Sequence, residues 1–132
     1  MSDNKYGQIS EGWLQGCEHI PSPNYGERPA GATVELVVVH NISLPPGEFG
    51  GPHVAELFTN TLDPQGHPYF EEIADLRVSA HFLIRRDGHV IQFVSTKDVA
   101  WHAGASQWRN REKCNEFSLG IELEGTDTHL YT

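Results

Sequence analysis

The run Val34-Glu35-Leu36-Val37-Val38-Val39-His40 restricts the fold more than any other feature of the sequence. Its β-branched residues favour a strand, and apolar residues occupy both of its alternating sets of positions. A strand with two apolar faces needs a covering layer on each side. We therefore expect a central strand that is buried on both faces and is followed by a loop, residues 41–51, rich in glycine and proline.

Regular patterns predict three further elements. A proline suited to a first turn, followed by apolar residues at helical spacing, predicts a helix at 52–62. Residues 79–94 form a predicted hairpin with Asp87-Gly88 as its turn. Residues 117–124 alternate between large apolar and polar or small side chains, as in a strand. Residues 98–115 are expected to be irregular. The sequence thus predicts a mixed α/β fold in which a central mixed sheet is flanked by helices.

The predicted elements do not complete such a fold. Only one long helix is apparent, although the first strand needs cover on two faces. The sequence ends shortly after the last predicted strand, within 132 residues. We therefore expect residues 1–132 to be the N-terminal and central part of a single domain that is incomplete at its C-terminal end.

Composition excludes several classes of partner. The formal net charge of −9 argues against binding to nucleic acid or to an anionic membrane surface. No apolar run approaches the length of a membrane span, and Met1–Lys5 does not begin a secretory signal. Cys17 and Cys114 lie far apart and fit no zinc-binding spacing, so free thiols are the simpler interpretation. We expect a cytoplasmic location.

Two residues are candidates for chemistry. His40 ends the buried run, where α/β proteins commonly place their sites, but it could equally hydrogen-bond a neighbouring carbonyl. Glu122 lies with Ser118 and Gly120 on what we expect to be an open, small-residue face, where a carboxylate could accept a proton from a metal-bound water. The alternative is an ordinary solvent-facing glutamate, as we expect for Glu124.

The remaining histidines are weaker candidates. The sequence holds eight histidines but no HExxH motif and no Cys/His cluster at zinc-finger spacing. Trp101-His102-Ala103-Gly104 could form the wall of a groove that binds a sugar or peptide, although a tryptophan is more often a core residue. His81 lies within a predicted strand, and we interpret it as a structural, hydrogen-bonded histidine.

Four segments occur together in a fixed order, and their combination is more specific than any one of them. The segments are Val39-His40-Asn41-Ile42-Ser43-Leu44-Pro45-Pro46-Gly47, Ser79-Ala80-His81-Phe82-Leu83-Ile84 with Arg86-Asp87-Gly88, Ala100-Trp101-His102-Ala103-Gly104, and Gly120-Ile121-Glu122-Leu123-Glu124-Gly125-Thr126-Asp127. In this order they resemble the amidase-2 family, which includes phage amidase lysozymes and peptidoglycan recognition proteins. The similarity extends from about Gly12 to Thr132.

The resemblance implies roles for particular residues. His40 matches the first ligand of the single zinc ion of the family, and Glu122 matches its catalytic glutamate. The family's other two ligands, a histidine and an aspartate, and a catalytic lysine lie on a later segment that this sequence does not include. Five positions match the groove that binds the muropeptide: Asn41, Arg77, Ala100, Trp101 and Lys113.

The resemblance also implies a reaction. It is zinc-dependent hydrolysis of the amide between the lactyl group and L-alanine in 1,6-anhydro-N-acetylmuramoyl peptides, during peptidoglycan recycling. The alternative is a muropeptide-binding module of the same superfamily that does not cut its ligand. We expect the 132-residue chain alone to be inactive and poor in metal, and either to self-associate or to need a missing C-terminal fragment.

Overall fold

The computed structural model describes residues 6–131, so residues 1–5, on which the absence of a secretory signal was argued, and Thr132 lie outside it. Within this range, five strands precede two short helices, and six further strands follow them. The strands are β1 (Ile9–Ser10), β2 (Trp13–Leu14), β3 (Glu18–His19), β4 (Tyr25–Glu27), β5 (Leu36–Ile42), β6 (Phe82–Ile84), β7 (Val90–Gln92), β8 (Asp98–Ala100), β9 (Gln107–Trp108), β10 (Arg111–Glu112) and β11 (Ser118–Glu124). The helices are α1 (His53–Phe58) and α2 (Pro68–Ile73), and a 3₁₀ helix spans Cys114–Phe117.

Five of these strands form one mixed sheet in the order β3-β7-β6-β11-β5. Strand β11 runs parallel to both β5 and β6, and β7 runs parallel to β3, whereas β6 and β7 are antiparallel. The predicted α/β class with a central mixed sheet is therefore confirmed.

Strand β5 departs from its prediction in one respect. We expected it at the centre of the sheet, but it lies at the edge of the described sheet, beside β11. Its side chains alternate between half-buried and exposed, and Val37 and Val39 are 53% and 57% exposed. An apolar run shows that both faces suit a covering layer, but it does not show which strands lie beside it. Among residues 6–131, the face of β5 that carries Val37 and Val39 is left exposed.

The predicted hairpin is confirmed. Phe82 pairs with Gln92 and Ile84 with Val90 across antiparallel β6 and β7. Gly88 has φ +88°, a left-handed conformation that suits glycine, and its N–H donates to the carbonyl of Arg85. The turn residues were sufficient to predict this element because hairpin geometry depends on local backbone conformation.

Helix α1 is shorter than predicted. Helix α1 ends at Phe58 instead of Leu62, because Asn60 adopts a left-handed backbone conformation with φ +62°. Leu62 is buried nevertheless. Helix α2 was not predicted, since Phe70 is its one buried residue and a single apolar position shows no periodicity. Among the described residues, no helix has the length and apolar character needed to cross a bilayer.

Residues 98–115 are more ordered than expected. Strand β8 pairs with β4, and β9 pairs with β10. These strands are two or three residues long, too short to show an alternating pattern. Helix α1, helix α2 and the loops beside them cover one face of the large sheet, and a single apolar cluster fills the space between them: Leu44, Val54, Leu57, Phe58, Leu62, Phe70, Ala80, Leu83, Ile91, Phe93, Val94 and Ala100.

Candidate active site

The structure brings His40 and Glu122 together. They occupy directly paired positions on the parallel neighbours β5 and β11. Because successive side chains on a strand point to opposite faces, two paired residues lie on the same face of the sheet. His40 is half-buried, and Glu122 is 8% exposed. Neither position indicates the other in the sequence, and the pairing follows from the sheet topology.

We had expected the face of β11 that contains Glu122 to be open, but this face is buried. Ser118, Glu122 and Glu124 are all buried, whereas the apolar side chains on the other face of β11 are only partly buried. The alternation was correctly predicted, but the polar face is the interior one. Glu124 is likewise not solvent-facing, since its carboxylate accepts hydrogen bonds from Gly50, Arg85 and Arg86.

His102 occupies the interior above this polar face. A Cβ atom on Gly120 would overlap the His102 ring, so the absence of a side chain at position 120 leaves the space that the imidazole fills. Nδ1 of His102 lies 3.2 Å from Nε2 of His40, and its Nε2 lies 3.1 Å from Oγ of Ser118. The side chain of Asn115 accepts hydrogen bonds from the backbone N–H groups of His102 and Ala103. The predicted groove-wall segment therefore contributes a histidine that contacts His40.

His81 is a structural histidine, as predicted. It is completely buried, and its Nδ1 accepts the backbone N–H of Gly120 at 3.0 Å. Its Nε2 then carries the proton and donates to the carbonyl of Asp98 at 2.9 Å. Burial, together with the nearby positive charge of Arg28, lowers the pKa of His81 to about 4. His81 therefore stays neutral at pH 7 with a defined tautomer.

Arg28 is a further buried group near the site that sequence reasoning missed. Its guanidinium donates to four backbone carbonyls, those of Thr96, Asn115, Glu116 and Ser118. These bonds tie the proline-rich N-terminal segment to the start of β11. No sequence pattern indicates this role, because every residue type offers a backbone carbonyl as an acceptor.

The carboxyl group of Glu122 is buried beside His40. Its Oε2 is buried without a hydrogen bond among the described residues. Burial raises the pKa of Glu122 to about 8, because the charged form loses its hydration and gains no compensating contact. A lone buried carboxyl group is costly for stability, and groups of this kind concentrate at functional sites.

The imidazoles of His40 and His102 favour their neutral forms. Burial lowers the pKa of His40. Burial is the main reason why the pKa of His102 is lowered to about 4. Repulsion from Arg28, and from His40 and His81 in their protonated forms, contributes to the same shift. Neutral imidazole is the form that binds a metal ion.

The donor set fits part of a zinc site. His40 supplies one neutral imidazole next to a carboxyl group that lacks a partner. Residues 6–131 contain no group of three or more histidine, cysteine or acidic residues arranged to hold a metal ion. Three protein ligands are typical of catalytic zinc, so His40 can provide one of them and the described residues do not provide the full set.

Among the groove candidates, Trp101 is the sequence neighbour of His102, which contacts His40. Trp101 directly precedes His102 and is half-buried. Its carbonyl accepts the backbone N–H of Ser79, and its own backbone N–H donates to the hydroxyl of Ser79. Ala100 is completely buried in the apolar cluster, so it can shape the site only through its backbone and packing.

The other groove candidates lie farther out. Asn41 is on the opposite face of β5 from His40, and its amide donates to Asp127. Arg77 is exposed and donates to the carbonyl of Leu76. Lys113 is exposed beside a surface cavity that Ser106 and neighbouring residues line. The structure therefore pairs His40 with Glu122. Among the described residues, the contacts of Asn41, Arg77 and Lys113 are with other parts of the molecule.

The chain is similar in sequence to a family of known proteins. Residues 30–132 match the family described as N-acetylmuramoyl-L-alanine amidase, Amidase_2. The chain is 63% identical to the 1,6-anhydro-N-acetylmuramyl-L-alanine amidase AmpD of Escherichia coli K12 over 94% of this chain and 68% of that protein. It is 60% identical to AmpD of Citrobacter freundii over 94% of this chain and 66% of that protein.

The fold is also similar to that of a solved structure. The crystal structure of an AmpD derivative is similar with a TM-score of 0.93 at 60% identity, covering 96% of this chain and 70% of that chain. The chain thus spans about two thirds of the length of these relatives. The resemblance inferred from four ordered segments is confirmed, and the chain belongs to the N-acetylmuramoyl-L-alanine amidase family.

Proposed function

We propose that this chain forms the His40–Glu122 part of a zinc-dependent amidase. The reaction is hydrolysis of the amide between the lactyl group and L-alanine in 1,6-anhydro-N-acetylmuramoyl peptides, in the cytoplasm, during peptidoglycan recycling. Residues 1–132 then belong to one amidase domain. The relatives named 1,6-anhydro-N-acetylmuramyl-L-alanine amidase support this substrate class. The free thiols of Cys17 and Cys114 support a reducing compartment.

One observation is the main support for this proposal. A histidine and a glutamate with a buried, unpartnered oxygen lie side by side on one face of adjacent parallel strands. A structural role would give a buried carboxyl group hydrogen-bond partners, as the structure does for Glu124. The vacant acceptor of Glu122 is instead suited to a water molecule that loses a proton during catalysis.

His40 would bind the zinc ion as one of its ligands. When bound, zinc polarises the amide carbonyl and makes a neighbouring water more acidic. Glu122 accepts the proton of the attacking water and donates it to the leaving amine of L-alanine. The burial that raises the pKa of Glu122 favours the uptake of this proton.

Trp101 and Arg77 would bind the substrate. The half-buried indole of Trp101 offers an apolar surface to a sugar ring or an alanine methyl group. The exposed guanidinium of Arg77 suits a peptide carboxylate. We also retain Asn41, Ala100 and Lys113 as proposed groove residues. Asn41 must exchange its contact with Asp127 before its amide can reach a ligand.

The proposal is tested on the 132-residue chain and on the product of its complete reading frame. The measurements are zinc content by mass spectrometry and cleavage of a 1,6-anhydro-N-acetylmuramoyl tripeptide. In the complete product, Glu122→Gln should abolish turnover and retain zinc, because an amide cannot accept the proton. His40→Ala should lose both. The matched control Glu112→Gln changes an exposed carboxylate and should leave both unchanged.

A muropeptide-binding module is the second candidate. It is favoured by the lack of a complete set of metal ligands among residues 6–131. The module predicts binding of the tripeptide, by calorimetry, without cleavage or zinc in the complete product. Loss of zinc in Glu122→Gln would show that Glu122 is a ligand, and the proposed mechanism would then be wrong.

A further inference from the structure

His102 lies between two polar groups of the site and contacts both. Its Nδ1 is 3.2 Å from Nε2 of His40, and its Nε2 is 3.1 Å from Oγ of Ser118. We propose that His102 is a positioning residue that fixes the tautomer of His40, so that Nδ1 of His40 keeps a free lone pair for the metal ion. This inference rests on the proposed function, in which His40 binds zinc.

A histidine that binds zinc needs a free lone pair on one ring nitrogen. This requirement gives the direction of the hydrogen bond between His40 and His102. A neutral imidazole has one N–H and one lone pair. Nε2 of His40 is the nitrogen turned toward His102. If Nε2–H of His40 donates to His102, Nδ1 of His40 keeps its lone pair. If His102 donates instead, the proton of His40 must lie on Nδ1 and both of its nitrogens are occupied.

The same reasoning gives the direction of the hydrogen bond between His102 and Ser118. Nδ1 of His102 accepts from His40, so the single proton of His102 lies on Nε2. That Nε2–H donates to the hydroxyl oxygen of Ser118, which is completely buried. A metal-binding histidine usually donates its second ring nitrogen to a fixed acceptor in this way, which orients the ring and makes the ligand more basic.

The surrounding structure holds His102 in place without a metal ion. Gly120 leaves the space beneath the ring, because any side chain there would overlap it. The amide oxygen of Asn115 accepts the backbone N–H of His102 at 3.2 Å and that of Ala103 at 2.8 Å. Both ring nitrogens of His102 are already engaged, which favours a positioning role over direct binding of the metal.

The tautomers can be observed directly by NMR. The sample is the 132-residue chain with ¹⁵N-labelled histidine, in a metal chelator at pH 7.5, and two-bond ¹H–¹⁵N correlations distinguish Nδ1–H from Nε2–H. We expect Nε2–H for both His40 and His102 in the wild type. In His102→Ala, His40 should lose this preference and become a mixture. The Nε2–H tautomer of His81, fixed by Gly120 and Asp98, shows in the same spectrum that each variant is folded.

A second variant, Ser118→Ala, tests the proposed hydrogen bonds if His102→Ala does not fold. Ser118→Ala removes one hydroxyl and keeps the backbone contacts of β11, and it should shift His102 away from Nε2–H. Nδ1–H on His40 in the wild type would overturn the inference. So would an unchanged His40 tautomer in folded His102→Ala, or an unchanged His102 tautomer in Ser118→Ala.

Zinc binding adds an independent readout. In the product of the complete reading frame, His102→Ala should weaken zinc binding by about 10- to 100-fold, measured by competition with a chelator, the usual effect of losing such a partner. Unchanged zinc affinity in that variant would overturn the positioning role. Unchanged zinc affinity in His40→Ala would instead contradict the proposed function, whatever the tautomers are.

Discussion

The buried carboxyl group of Glu122 should make folding stability depend on pH in a way that Glu122→Gln removes. Its pKa is about 8 in the folded protein and 4.5 as the ordinary value. Between these values the folded state holds one proton that the unfolded state releases. Stability from this group is therefore fully present below about pH 4.5 and is lost as pH rises through about 8.

The magnitude follows from one proton per molecule. Stability should change by about 1.4 kcal/mol per pH unit within this range, and hence by about 2.5 kcal/mol between pH 5 and pH 7. Relaxation around the group can only reduce this value, so we expect a change of roughly 1–2.5 kcal/mol. Glu122→Gln lacks this dependence. From pH 5 to pH 7, its free energy of unfolding should therefore rise by that amount relative to the value for wild type.

The assay is urea denaturation of both proteins at pH 5 and pH 7 in a metal chelator. Taking the difference between variant and wild type cancels the contributions of the histidines, which both proteins share. Glu112→Gln serves as the control, since it changes an exposed carboxylate and should follow the wild-type curve. A difference between Glu122→Gln and wild type that stays constant within about 0.5 kcal/mol would refute the reasoning. The carboxyl group would then be hydrated or paired in solution.

Three further outcomes are expected. Trp101→Ala in the product of the complete reading frame should raise KM for the tripeptide several-fold, and an unchanged KM would make Trp101 a core residue. His81 and His102 have pKa values of about 4, below the ordinary 6.5, so their contribution to stability is present above pH 6.5 and is lost as pH falls through about 4. Urea denaturation of Glu122→Gln from pH 6.5 to pH 4.5 should show a loss of roughly 1–3 kcal/mol per pH unit, and a flat profile would contradict the burial of these rings. Exposed Val37 and Val39 should promote self-association, so light scattering should give a lower mass after Val37→Thr with Val39→Lys than for wild type.

The sequence by itself determined the local elements and the family. Turn residues predicted the hairpin of β6 and β7, and alternation predicted β11, because both depend on backbone conformation within a few residues. The apolar run predicted β5 as a strand. Four ordered segments were sufficient to identify the family, and with it His40 and Glu122 as candidates.

The tertiary structure alone decided how these elements combine. The pairing of β5 with β11 places His40 beside Glu122, and no local pattern encodes the neighbour of a strand. The tertiary structure also determines that the polar face of β11 is the buried one. His81 and His102, from distant parts of the sequence, pack against this face. Burial, pKa shifts and hydrogen-bond direction depend on what surrounds a group in three dimensions. The contact between His102 and His40 is therefore a property of the fold, whereas the two residues themselves are a property of the sequence.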